Sequence, residues 1–287
     1  MTLILAFISE EYVALASDRR ITWTIGGARD RTEDTENKAV VLCGHFLMGY
    51  TGFARLGGVK TERWIVETLS DIPDPSDYFR VLSVEAQRAV AALKQPRARS
   101  GHAFVAVGFA AKRGDPPHKR EAVGVTISNA SGGGYGVWRP GPTFEITRTP
   151  PLVGPDDFRL GAQGIVPPRA QLEEAIDVIR RYRKRDRSRI TGIAQVLVRL
   201  IRSVTDEQVG DDISVSILPR AVVPAPTVSI PFHGLRDPVD ELTCVFVPKD
   251  RDAESALAYS PATVCPDLAT FGGEIWSGDR PPPWWKE

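Results

Sequence analysis

Thr2-Leu3-Ile4-Leu5-Ala6-Phe7-Ile8 stands directly behind Met1, and a second apolar run, Tyr12-Val13-Ala14-Leu15-Ala16, follows and ends at Ser17-Asp18. Both have the length and composition of strands. Methionine is readily trimmed when a small residue comes next, which would leave Thr2 at the head of the first strand. A terminal threonine carries a hydroxyl and a free α-amine on one residue. An N-terminal amine is a recognised activator of such a hydroxyl, which is a poor nucleophile until a base takes its proton. Many ordinary proteins begin Met-Thr, so the pair decides nothing alone.

The following fifty residues give it a context. Asp18 lies in Ala16-Ser17-Asp18-Arg19-Arg20-Ile21-Thr22, where the second run ends. Lys38 precedes a third run, Ala39-Val40-Val41-Leu42-Cys43. Gly52 closes a fourth, in Gly49-Tyr50-Thr51-Gly52-Phe53-Ala54, ahead of a helical pattern. Far downstream stands Asp206-Glu207-Gln208-Val209-Gly210. Singly, each has an ordinary reading. Asp18 suits a turn carboxylate beside Arg19 or Arg20, Lys38 a strand-edge lysine, Gly52 a turn glycine and Asp206 a turn or cap residue.

Jointly, the residues resemble the β-subunits of the proteasome family, including the simpler bacterial peptidase subunits that begin Met-Thr. The shared outline is a terminal threonine, Asp-x-Arg-x-Thr after the second strand, a lysine before the third and a glycine opening the first helix. Asp206 to Gly210 resembles that family's Asp-x-x-Ser-Gly segment. Two departures stand out: Val209 replaces the usual serine, and Gly161-Ala162-Gln163-Gly164 stands where a Gly-Ser-Gly segment is usual.

The resemblance implies roles for these residues. Thr2 would be the nucleophile and its freed amine the base. The reference pKa of such an amine, about 7.7–8.0, needs only a modest downward shift to serve at neutral pH. Lys38 would supply that shift by disfavouring a second nearby cation, with Asp18 holding and neutralising it. Gly52 would offer a backbone N–H to the developing oxyanion, and Asp206 would orient the terminal ammonium and hydroxyl. Arg20 and Thr22 would contact substrate. No cofactor or metal is implied.

Composition is compatible with this. The chain of 287 residues can bury one sizeable core, or one domain with an appendage. Lys plus Arg and Asp plus Glu both number 36, so net charge gives no bulk attraction to nucleic acid or membrane. Three cysteines, Cys43, Cys244 and Cys265, form no metal or redox spacing and, with no basic leader, point to a cytoplasmic setting. The basic run from Arg180 to Arg189 reads as a helix end and the loop after it, and His45, His102, His118 and His233 as structural or surface residues.

Periodicity predicts strands at 2–8, 12–17, 39–43 and 46–51, then helices at 58–70 and 76–94. It predicts strands again at 104–110, 122–128, 136–138 and 144–148, with Ser131 to Gly136 as a glycine-rich hairpin or bulged loop. Helices at 168–185 and 190–204 and a strand at 213–218 complete the pattern. Taken alone, this order is α+β. The resemblance to N-terminal nucleophile (Ntn) hydrolases implies a four-layer αββα sandwich over residues 1–218. Residues 219–287 exceed the resemblance: a Pro-rich extension with one good strand at 243–247, ending in Trp284 and Trp285. It either folds over its own domain or contacts a neighbouring subunit.

The expected function is a threonine-type hydrolase cleaving peptide or other amide bonds inside a self-associated ring or spiral. Peptide or protein would be the substrate, and an ATP-dependent unfoldase a conceivable partner. The alternatives are a proteasome-fold scaffold with little activity and a small-molecule amidohydrolase.

Overall fold

The computed structural model describes residues 2–25, 28–33, 36–93, 101–111, 120–131, 139–186, 190–220, 242–252, 256–266, 268–270 and 273–274. The N-terminal part forms β1 (Leu3–Ile8), β2 (Tyr12–Asp18), β3 (Ile21–Ile25), β4 (Ala28–Glu33), β5 (Ala39–Leu42) and β6 (Phe46–Thr51). A small ribbon, β7 (Arg55–Leu56) and β8 (Val59–Lys60), leads into α1 (Thr61–Leu69) and α2 (Tyr78–Ala91). Next come β9 (Ala103–Ala110), β10 (Glu121–Ser131), β11 (Arg139–Arg148) and β12 (Arg159–Gly164). The helices α3 (Arg169–Arg185) and α4 (Ile190–Arg202) precede β13 (Ile213–Pro219). The C-terminal part adds β14 (Thr243–Val247), β15 (Leu257–Ser260), β16 (Ala262–Cys265), β17 (Leu268–Thr270) and β18 (Gly273–Glu274).

Two seven-stranded sheets result. One runs β12-β1-β2-β13-β14-β15-β18 and the other β11-β10-β9-β6-β5-β16-β17. Their strand pairs are antiparallel except for the parallel β5–β16 pair.

Period-two alternation explains how the sheets pack. Leu3, Leu5 and Phe7 of β1 join Ala14, Ile213 and Val215 against Leu172 and Ile179 of α3 and Ile193 and Leu197 of α4. Ile4, Ala6 and Ile8 point the other way and meet Val41, Leu47, Val105 and Val107 of the second sheet. The far face of that sheet, with Val40, Met48, Phe104 and Ile127, receives Ile65 and Leu69 of α1 and Leu82 and Ala86 of α2. Three apolar interfaces thus run through the molecule. Strands buried on both faces read as continuous apolar runs, as β1 does.

Some elements depart from the periodic reading. The first helix begins at Thr61, not 58, because residues 55–60 pair as β7 and β8. The second begins at Tyr78 behind a short 3₁₀ turn at Pro75–Asp77, where Asp74 accepts from the Ser76 N–H. Ile21–Ile25 (ITWTI) is all β-branched and aromatic, a strand signal missing from the periodic reading, whereas β4 and β12 carry no strong signal. Arg159 to Gly164 (RLGAQG) holds two glycines and no β-branched residue, and it becomes a strand by lying along β1. The glycine run and the 136–138 strand fall outside the described residues, apart from Ser131 at the end of β10.

The extension is woven into both sheets. Thr243–Val247 pairs with β13, and Ala262 to Val264 pairs with Val40 to Leu42 of β5. Val245 and Val247 enter the cluster under α3 and α4, while Ala262 and Val264 enter the one under α1 and α2. Removing all of 219–287 would therefore strip core strands from both sheets. Trp284 and Trp285 lie outside the described residues.

Candidate active site

The β1–β2 hairpin sets the first distance. The Ser9 hydroxyl donates to the Tyr12 carbonyl at 2.8 Å and closes the turn. The register that follows pairs Ile4 with Ser17, placing Leu3 across from Asp18. The Leu3 N–H donates to Asp18 Oδ1 at 2.9 Å. The spacing of Thr2 and Asp18 in sequence is thus the arc of one hairpin.

Lys38 comes from the other sheet, at the head of β5. Its ammonium donates to the Thr2 hydroxyl oxygen at 2.6 Å, to Asp18 Oδ2 at 3.1 Å and to the Arg20 carbonyl at 2.7 Å. Three acceptors meet the three donors of a protonated lysine, which leaves it no capacity to accept a proton. Thr2, Asp18 and Lys38 are 6%, 0% and 2% exposed, so the ion pair works in a low-dielectric site. Asp18 Oδ2 also accepts from Arg20 N at 3.0 Å and Gly210 N at 3.4 Å. Those bonds offset the desolvation of a fully buried carboxylate.

The Thr2 peptide is clamped as well. Its carbonyl accepts from the Thr51 hydroxyl and the Ile165 N–H, both at 3.1 Å. Gly164 sits so close that a Cβ there would lie 1.7 Å from the Thr2 carbonyl oxygen, and its φ of +94° independently favours glycine. The register opposes Leu3 to Gly164 and Leu5 to Ala162. The residue of this stretch beside Thr2 is therefore Gly164, and Ala162 lies two positions along the strand.

A cavity of about 50 Å³ opens at Thr2, and Arg20, Glu36, Lys38, Tyr50 and Gly52 also line it. Gly52 follows β6 at φ +111°. The β6–β9 register pairs Thr51 with Ala103, so Gly52 comes against His102. A Cβ on Gly52 would fall 2.1 Å from His102 Nδ1 and 2.8 Å from the Gly101 carbonyl. Gly52→Ala is accordingly expected to lose about 1–3 kcal/mol from backbone strain alone, before the steric clash is added. A urea melt matching the parent chain would overturn that expectation.

His102 takes the structural one of the two roles expected of the four histidines. It is 2% exposed, and its ring stacks on Phe53 at 3.6 Å. Nδ1 accepts the Phe53 N–H at 3.0 Å. Burial pushes its pKa down to about 3, so it stays neutral and braces the Gly52–Phe53 turn. No sequence spacing betrays this, since the contact is made by strand register.

Arg20 donates to the carbonyls of Glu207 and Val209, both at 3.1 Å, tying the 206–210 segment to the cavity wall. The Asp206 carboxylate closes a local turn, accepting from Gln208 N at 2.8 Å. From this segment Gly210 reaches Asp18, while Val209 packs into the cluster under α3 and α4. The side chain of Thr22 lies outside the described residues; its backbone pairs with Thr32.

The sequence also missed the carboxylates beside the cavity. Glu36 is 2% exposed, and its Oε2 pairs with Lys60 at 2.9 Å. Glu62 has its pKa raised to about 7, first by burial and then by the Glu36 charge. Tyr50 is pushed well up by burial and by both carboxylates. Among the described residues no cluster of His, Cys, Asp or Glu could hold a metal ion, and no helix is long and apolar enough to cross a membrane.

No family model and no curated protein matches the chain. Among solved structures, it is similar to an Anbu (Gly-1) mutant from Hyphomicrobium sp. strain MC1, at 16% identity over 76% of this chain and 82% of that one, with a TM-score of 0.45. It is similar to the eukaryotic HslV from Trypanosoma brucei at 16% identity, over 76% and 99% of the two chains, with a TM-score of 0.40. A third similar structure is the Thiobacillus denitrificans BPH in complex with epoxomicin, at 12% identity over 77% and 100%, with a TM-score of 0.42.

Proposed function

We propose that this chain is a threonine-type Ntn hydrolase, built as a four-layer αββα sandwich, that cleaves peptide or related amide bonds. One observation carries the reading: the Lys38 ammonium lies 2.6 Å from the Thr2 hydroxyl while bridging to the buried Asp18. A lysine that spends its donors this way polarises the hydroxyl and cannot be the base, so the base is the amine exposed when the Met1–Thr2 bond is cut.

The steps then balance. The Thr2 hydroxyl proton passes to the α-amine as Oγ1 attacks the substrate carbonyl carbon. The resulting oxyanion takes the Gly52 N–H, a donor typically worth about 2.7–4 kcal/mol. The ammonium returns its proton to the leaving nitrogen as the C–N bond breaks, leaving an ester on Thr2. Water, deprotonated by the same amine, attacks that ester; the acyl C–Oγ1 bond breaks, the ammonium returns the proton to Oγ1, and the acid leaves. Asp18 and Lys38 hold the geometry and Asp206 the 206–210 turn, while Arg20 and Thr22 flank the bound substrate.

Intact-mass measurement tests this. Loss of Met1, and one adduct on Thr2 from a threonine-directed epoxyketone, are expected; a chain that keeps Met1 and takes no adduct refutes the reading. A second reading, a subunit of this fold with little activity, is favoured by Val209 in the apolar cluster and Ala162 opposite Leu5, which place no hydroxyl at the Thr2 amine. A small-molecule amide is the remaining substrate class.

We also propose that the chain self-associates into a ring or open spiral, since closed assemblies of identical chains are the usual outcome when one chain supplies every contact. Such an assembly would confine the cleft. Residues 275–287, with their paired tryptophans, are the candidate added contact, and their removal spares every described strand. Light scattering of the full chain should give a multiple of 31.4 kDa, and the truncated chain a smaller mass. A full-length monomer at micromolar concentration sinks the assembly proposal.

A further inference from the structure

Glu36 is an anomaly within the cavity that holds the nucleophile. Its side chain is 3% exposed; Oε2 pairs with the Lys60 ammonium at 2.9 Å, and the Tyr50 hydroxyl interacts with the carboxylate from the same cavity wall. Among the described residues, Oε1 is a buried carboxylate oxygen with no hydrogen-bond partner. Leaving such an atom unmatched is costly, more so for a charged group than a neutral one. An unsatisfied buried acceptor on a residue that lines a cavity, with the nucleophile on the same wall, marks a place prepared for a donor from outside the chain.

Further facts define that donor. A carboxylate only accepts, so the visitor must bring N–H or O–H donors; its charge favours a cation among them and repels a substrate acid. The neighbouring cations are already engaged: Lys38 on Asp18 and Thr2, and Arg20 on the carbonyls of Glu207 and Val209. Glu62 adds a second carboxylate whose charge is felt at Tyr50 on the cavity wall, with Arg19 acting on Glu62 only as a minor opposing charge. Lys60, 57% exposed along its side chain, is the one cation of this group anchored mainly in solvent and free to swing aside. The cavity of about 50 Å³ holds a few waters as it stands, the size of a charged head group.

We propose that Glu36 is a specificity-determining residue that receives the cationic side chain, lysine or arginine, of the residue whose carbonyl Thr2 attacks. That side chain hangs from the carbon next to the reacting one, so it enters the cavity that Thr2 itself lines. Lys60 holds the place on Oε2 until substrate arrives. The inference rests on Thr2 being the nucleophile.

The test is a set of fluorogenic peptides identical except for the residue bearing the reporter: arginine, lysine, glutamine, leucine or glutamate. The parent chain should cleave the arginine and lysine peptides with kcat/KM about tenfold or more above leucine, with glutamate slowest. Glu36→Gln should collapse the arginine-to-leucine ratio to about one, and Lys60→Ala should raise it. Glutamine matching arginine, or leucine cleaved as fast as arginine, overturns the proposal, as does a ratio that survives Glu36→Gln. Should Glu36→Gln fail to fold by circular dichroism, the parent panel and Lys60→Ala decide. An epoxyketone adduct on Thr2 without cationic preference removes this inference alone; no adduct and no cleavage removes the parent reading with it.

Discussion

Thr2→Ala is expected to eliminate both the epoxyketone adduct and turnover, with hydrolysis falling by on the order of 10⁴-fold or more, as when the nucleophile of a catalytic unit is removed. The fold should survive. The backbone clamps on the Thr2 carbonyl, from Thr51 and Ile165, do not involve the lost hydroxyl. The Asp18 bond to Leu3 N is likewise untouched. Only one Lys38 donor loses its acceptor, a change of about 1.5–3 kcal/mol for a hydrogen bond from a charged group, which a water entering from the adjoining cavity can largely offset. A denaturant midpoint close to the parent value, together with silence in the activity assay, is the expected pair of results. Undiminished hydrolysis by this variant would move the reaction away from Thr2 altogether.

Lys38→Ala is the second large effect, and it should strike activity and stability together. The lysine and Asp18 side chains are 3% and 0% exposed, and breaking a buried pair by removing one partner typically costs about 3–5 kcal/mol. Asp18 would still accept from Leu3, Arg20 and Gly210, which places the expected loss near the lower end of that range. Hydrolysis should fall by orders of magnitude, because the Thr2 hydroxyl loses its polarising donor. Lys38→Arg should not restore it. A planar guanidinium cannot direct three donors tetrahedrally to Thr2, Asp18 and the Arg20 carbonyl from one nitrogen. Near-normal kcat in the arginine variant would reduce Lys38 to a structural ion-pair residue.

These two expectations separate roles that a single loss of activity would merge. Thr2 carries chemistry with little stability, Lys38 carries both, and Gly52 carries backbone geometry. A thermal melt beside each rate measurement tells them apart.

Much of the arrangement was legible in sequence because its parts are local. Residues 3–8 and 12–18 form a hairpin, and hairpin register alone brings Leu3 to Asp18. Lys38 and Gly52 sit at the ends of short strands that their apolar runs announce, β5 and β6. The helices at 169–185 and 190–202 follow the 3.6-residue period closely. Asp206 was legible as part of a segment, but its carboxylate is engaged with Gln208, and Gly210 is the residue of that segment bonded to Asp18.

By itself, then, the sequence determined the helices and the apolar strands, and which of their ends carry Thr2, Asp18, Lys38 and Gly52, since period and spacing act within one element or one hairpin. Only the tertiary structure decided the rest. It turned Arg159–Gly164 into a strand against β1 and set Gly164 beside Thr2. It placed His102 under Gly52 and drew strands from residues 242–274 into both sheets. It also buried Glu36 at the cavity wall, with one oxygen unmatched among the described residues. Each of these contacts joins residues far apart in the chain through strand register and sheet packing. Their cost and gain are fixed by burial of the assembled sheets, which no local period records.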